Sequence, residues 1–168
     1  MKKQLNVCFI VLFTMLGLQE IHAQSLKTLT ISASATVTDN LQMITIRHLD
    51  LISPEVEDGY IEISPIYSSY AGMFKIIGNP NAKIRITYLQ SETLREQNDG
   101  IGVVEARYIM SAAEKDIQQQ SQLLDVGEAV VPIGDNGELF IWLGAILDFS
   151  DAVPGLYLSE FILEIEYI

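Results

Sequence analysis

Apolar and polar residues alternate with a period of two along most of this chain, which puts successive side chains on opposite faces of an extended backbone. In residues 28–38, Leu29, Ile31, Ala33, Ala35 and Val37 share one face and threonines and serines the other. Small and β-branched residues in that order favour a strand over a helix. Asp39-Asn40 interrupts the pattern as a turn. A second strand is predicted over residues 43–51, with a phase shift near His48 of the kind a β-bulge produces. Ser53-Pro54 and the acidic residues 55–59 form a loop, and residues 60–64 a short strand that Pro65 ends. Phe74 and Ile76 then alternate with Lys75 and Ile77, and Gly78-Asn79-Pro80-Asn81 makes a tight connection to a strand carrying Ile84, Ile86 and Tyr88. Residues 90–102 are polar and read as a loop, after which Val104, Ala106, Tyr108 and Met110 mark a further strand.

Residues 111–127 lack a clear period and read as a long loop, with a short helix as the alternative because Ala112-Ala113-Glu114-Lys115 favours a helical turn. Gly134-Asp135-Asn136-Gly137 is a turn that launches residues 138–149, which are apolar on both faces. That pattern fits a strand buried on both sides, or one whose outer face meets a partner. A last turn at residues 151–155 leads into a closing strand. Tyr157, Phe161, Leu163, Ile165 and Tyr167 lie on one of its faces, and Glu160, Glu164 and Glu166 on the other. The closing strand is predicted to form an antiparallel hairpin with residues 139–147. About eight short strands separated by turns indicate an all-β antiparallel sandwich.

The N-terminus has the layout of a secretory leader: Lys2 and Lys3, an apolar run over residues 7–18, and a small residue at Ala23 before the expected cleavage. The run is short for a membrane span, and no later stretch is apolar for long enough to cross one. An uncleaved N-terminal anchor is the competing reading. Residues 1–23 are thus expected to be a signal peptide and residues 24–168 a single exported domain, in the periplasm, at the cell surface or outside the cell. The one cysteine, Cys8, falls in the leader, so the mature domain has no disulfide and relies on its core. The chain carries a net charge of −12, which argues against nucleic acid and anionic membranes as partners.

Several segments, taken in order, resemble a family of exported bacterial domains of unknown function, number 4402. They are the closing string Gly155-x-Tyr157-x-x-x-Phe161-x-Leu163-x-Ile165-x-Tyr167, the step Leu49-Asp50-Leu51, the strand Ile61-Glu62-Ile63-Ser64-Pro65, residues 74–87 and Leu143-Gly144-Ala145-Ile146-Leu147. The match spans most of residues 28–168. It departs from the family at Ile52 and at Ser159, where the family carries glycine. The resemblance implies an immunoglobulin-like, pilin-like sandwich and a structural, surface or adhesive role without chemistry.

The residues themselves offer little for catalysis, and no enzyme is expected. His48 is the only histidine outside the leader; Asp50 could orient it, but no cysteine accompanies it, so neither a nucleophile–base pair nor a zinc set can be assembled. Glu164 and Glu166 lie two residues apart on one strand face, roughly 7 Å by strand rise, near the lower end of the spacing in inverting glycosidases. They serve equally as charge that discourages edge pairing. The acidic turns at residues 55–59 and 135–138 lack the alternating spacing of a calcium loop. No cofactor or metal is expected. Tyr67, Tyr70 and Trp142 are the candidate ligand-binding residues, as aromatic faces that stack on a sugar or dock a partner, with Tyr60 nearby in sequence. Trp142 has core filling as its alternative. The expected partners are other copies of the chain, or cell-surface proteins and glycans. Residues 25–38 are the candidate for exchange of a strand between copies.

Overall fold

The computed structural model describes residues 28–31, 40–98 and 100–168. The leader expected at residues 1–23 and the turn residue Asp39 lie outside the described residues, as does most of the strand expected at 28–38. Among the described residues no helix is long and apolar enough to cross a membrane. The described residues form twelve strands: β1 (Thr28–Ile31), β2 (Gln42–Arg47), β3 (Tyr60–Ile63), β4 (Gly72–Ile77), β5 (Lys83–Tyr88), β6 (Ser91–Arg95), β7 (Val103–Ala113), β8 (Gln122–Leu123), β9 (Glu128–Pro132), β10 (Glu138–Asp148), β11 (Leu156–Ser159) and β12 (Leu163–Tyr167). The fold is all-β and sandwich-like, as the alternation predicts, with more and shorter strands than eight.

The larger sheet runs β2-β4-β10-β7-β6, with β3 added beside β4 on β10 and β8 beside β6 on β7. The smaller sheet runs β12-β5-β9. One apolar core joins them, built from alternate residues of facing strands: Ile76, Ile141, Leu143, Tyr108 and Met110 from the larger sheet, and Ile84, Ile86, Leu163 and Ile165 from the smaller. The Phe161 ring lies across this seam, 4.8 Å from the ring of Tyr108 and 6.2 Å from that of Tyr88. All sheet pairings are antiparallel except β1 against β11, which are parallel.

Three local expectations are corrected. The polar residues 90–102 contain β6, because Leu94 is buried while its polar neighbours face water. Residues 111–127 hold the end of β7, a single 3₁₀ turn at Gln118–Gln120 and the two-residue β8. The phase shift expected near His48 is present, since the register of β2 against β4 shifts between Thr45 and Arg47. The last and most consequential correction concerns the closing strand, which does not form a hairpin with β10. Both edges of β10 are occupied, one by β4 and β3 and the other by β7. The closing segment therefore splits: β11 pairs with β1 in a separate two-stranded ladder and bridges Glu96 just after β6, and β12 pairs with β5 in the smaller sheet.

Ser159 has a physical role. Tyr108 donates a hydrogen bond to Ser159 Oγ (2.6 Å), and Ser159 donates to the Glu92 carboxylate (2.6 Å). This chain ties β7, β11 and β6 and satisfies the buried Tyr108 hydroxyl, which a glycine at 159 would leave without that partner. Ser159→Ala should therefore cost about 1–3 kcal/mol in urea unfolding. Burial pushes the Tyr108 phenol up to about 12, helped by the Glu92 charge and opposed by the Ser159 hydrogen bond. A phenol whose folded value is raised contributes its stability fully below pH 10 and loses it as pH climbs from 10 towards 12, by about 3 kcal/mol at most. Unfolding measured across that window should show a shallower loss in Tyr108→Phe than in the wild type. An unchanged slope would remove this role from Tyr108.

Candidate functional site

β10 presents Leu139, Ile141, Leu143, Ala145 and Leu147 to the core, so Phe140, Trp142, Gly144 and Ile146 point to the opposite face of the sheet. That outer face is covered as well. Met73, Phe140 and Trp142 form a second, small apolar cluster with Ala113 against it, and Trp142 is only 1 % exposed. Lys75 lies 5.6 Å from the Phe140 ring centre and pairs with Glu138, closing one end of the cluster.

The cover over this face originates in a break between β3 and β4. β3 leaves β10 at the pair Ile63–Ala145 and β4 joins it at Gly72–Leu143, so the chain departs and returns opposite Gly144. Residues 64–71 loop out there, over the outer face. A Cβ on Gly144 would collide with the Ile63 carbonyl and the Pro65 ring, so the loop can cross only where the strand has no side chain.

Side chains from three directions hold the loop. Gln118, in the 3₁₀ turn, donates from Nε2 to the carbonyls of Pro65 (3.0 Å) and Ser68 (2.9 Å). Ser121 donates to Ser111 Oγ (2.8 Å), and Ser111 to the Pro65 carbonyl (3.4 Å). Arg47 donates from Nε to the Ala71 carbonyl (2.7 Å). Within the loop, Ser64 Oγ accepts from the amides of Ile66 and Tyr67, and Ser68 Oγ from that of Tyr70. Such turns are what serine between strands is suited to make.

Two of the three candidate aromatics are carried out into solvent on this pinned backbone, Tyr67 at 77 % exposure and Tyr70 at 39 %. Trp142, the third, is buried in the outer-face cluster and so takes the core-filling alternative. Tyr60 is exposed at the start of β3, at the far end of that strand from the loop. The guanidinium of Arg47 lies at the base of the loop, its Nη2 3.5 Å from Gln118 Oε1. Exposed phenol rings, a guanidinium and main-chain carbonyls make a surface suited to stacking and hydrogen bonding, with no nucleophile–base pair among them.

The other candidates lie elsewhere. Glu164 and Glu166 are exposed on β12, opposite Thr87 and Arg85, and Glu166 pairs with Arg85 at 2.8 Å. His48 is exposed beyond β2, and the Asp50 carboxylate accepts hydrogen bonds from the Ile52 and Ser53 amides. Those bonds, Ser53 foremost, hold the Asp50 carboxyl below its usual value. Among the described residues no three His, Cys, Asp or Glu side chains are grouped to hold a metal ion. The roles of Gln118 and Ser111 were not read from the sequence; a lone glutamine run and a lone serine give no periodic signal. No protein-family model matches the chain, and no curated protein matches it.

The geometry makes Gly144 the hinge of the site. Gly144→Ala should cost about 1–3 kcal/mol through overpacking and should raise the rate of limited proteolysis within residues 64–71. Wild-type stability and cleavage in this variant would mean that the loop does not lie against the strand.

Proposed function

We propose that this chain is an exported, non-enzymatic β-sandwich that serves as a surface, fibre or adhesion module, and that its contact face is the loop of residues 64–71. The observation that carries the reading is the pairing of exposure with rigidity: Tyr67 and Tyr70 stand in solvent while the backbone beneath them is held by Gln118 and Arg47. Ordering a loop before its partner arrives lowers the entropy lost on binding. The leader-like N-terminus and the resemblance to exported pilin-like domains support the compartment and the type of role. Carbohydrate is the ligand class that exposed tyrosines favour, because a phenol ring offers an apolar face and a polar edge together.

Tyr67→Ala and Tyr70→Ala should each leave unfolding free energy within about 0.5 kcal/mol of the wild type, as surface changes do, and should abolish binding on a glycan array. Glycan binding that survives both substitutions would remove the loop as the contact face, and an empty array would remove carbohydrate as the ligand.

The parallel ladder of β1 on β11 favours a second role for the N-terminal segment, as an integral strand that one copy could lend to another. Size-exclusion chromatography of the mature chain with and without residues 24–38 tests this. The shortened chain should unfold or associate; one that stays soluble, folded and monomeric would make the segment dispensable.

A further inference from the structure

The sandwich is open along one side. β8 is an edge strand of the larger sheet and β9 an edge strand of the smaller, and a groove of about 510 Å³ lies between them. Its apolar lining comes from both layers: Ala112 and Leu139 are buried, and Leu124 and Val131 are half-buried against the core. Exposed Glu114, Asp125 and Lys115 line its rim.

The backbone of β9 adds directionality. Tyr88 N–H bonds the Gly127 carbonyl and Ile133 N–H bonds the Ala82 carbonyl, while Ala129 sits opposite Ile86 and Val131 opposite Ile84. Bonded and non-bonded pairs alternate in an antiparallel ladder, so residues 127, 129, 131 and 133 turn their backbone groups towards β5. Glu128 and Val130 then turn N–H and C=O outward, and Pro132 its carbonyl. None of these outward groups has a hydrogen-bond partner among the described residues. Val130 is itself exposed. A row of free donors and acceptors beside a groove with an apolar floor and polar walls is what an extended peptide requires: main-chain bonds along the edge and pockets for alternate side chains.

We propose that this groove is a peptide-binding site which takes an extended, basic segment as an added strand on β9, with aliphatic side chains at alternate positions resting on Leu124, Val131 and Leu139. Charge selects the occupant. The rim carries two carboxylates to one ammonium, and the chain as a whole carries −12, which attracts a cationic segment and repels a second copy of the chain. Pro132, without an N–H, marks the end of the usable edge. The site is independent of the tyrosine loop, which is on the outer face of the larger sheet.

A synthetic octapeptide of alternating valine and lysine, its valine–glutamate counterpart, and a block peptide of four lysines and four valines test the proposal. The measurements are fluorescence anisotropy and residue-resolved amide exchange on the mature chain. The alternating valine–lysine peptide should bind and slow exchange at the Glu128 and Val130 amides; the other two should bind at least tenfold more weakly. Val130→Pro removes one outward donor while leaving the ladder to β5, and should weaken binding at least tenfold. The Glu114→Lys, Asp125→Lys double variant should reverse the preference towards the valine–glutamate peptide. The proposal is overturned if the valine–lysine peptide leaves the β9 amides unprotected, if the block peptide binds as well, or if charge reversal has no effect. Protection of the same amides by concentration-dependent dimerisation without peptide would also overturn it, by assigning the edge to a second copy. Since wild-type amide protection decides the first point, failure of Val130→Pro to fold would leave the test intact.

Discussion

A strand that is apolar on both faces has to be taken out of water on both, and β10 is eleven residues of such strand. Its inner face is absorbed by the core between the sheets. Its outer face holds Phe140 and Trp142, and an aromatic of this size buries roughly 150–250 Å², worth on the order of 4–6 kcal/mol at about 25 cal/mol per Å². That energy is available only if something other than a second sheet covers the ring. The loop of residues 64–71 crosses this face at Gly144, two residues along β10 from Trp142, and is locked there by Gln118 from the loop beyond β7. The position of the candidate contact face follows from this. A loop drawn across a sheet to shield a tryptophan must present its own outer side to solvent, and here that side bears Tyr67 and Tyr70.

The same strand governs the rest of the topology. With β4 and β3 along one edge of β10 and β7 along the other, β10 has no free edge for the closing strand. The closing segment divides instead: β11 pairs with β1, where Tyr157 enters the core and Ser159 completes the polar link from Tyr108 to Glu92, and β12 joins the smaller sheet beyond the buried Phe161. Its glutamates are left in water, Glu166 paired with Arg85.

Much of this was legible in the order of residues. Period-two alternation located β2, β3, β4, β5, β7 and the closing strand, and the two-sided apolar run from Leu139 to Leu147 fitted either a strand buried on both faces or one whose outer face meets a partner. What alternation cannot convey is which strand lies beside which. The hairpin expected between β10 and the closing strand was plausible by proximity in sequence and was displaced by non-local pairing. β6 was missed because a single buried residue, Leu94, carries its inward face. At the candidate site the tyrosines were legible as aromatics in a serine-rich turn. The loss of Trp142 to the interior, and the clamp that Gln118 supplies from some 50 positions away, depend on the fold having already brought those segments together.

The central claim is that loops seal the outer face of β10, and the chain carries a built-in reporter of it, since Trp142 is the sole tryptophan. Steady-state fluorescence with iodide as quencher addresses it directly. The folded protein should emit with a blue-shifted maximum and resist iodide, and Gln118→Ala, which removes both amide bonds to the loop, should increase quenching while leaving the protein folded by far-ultraviolet circular dichroism. Native emission and quenching equal to those of the urea-unfolded chain would mean that the tryptophan lies in water, and would contradict the account.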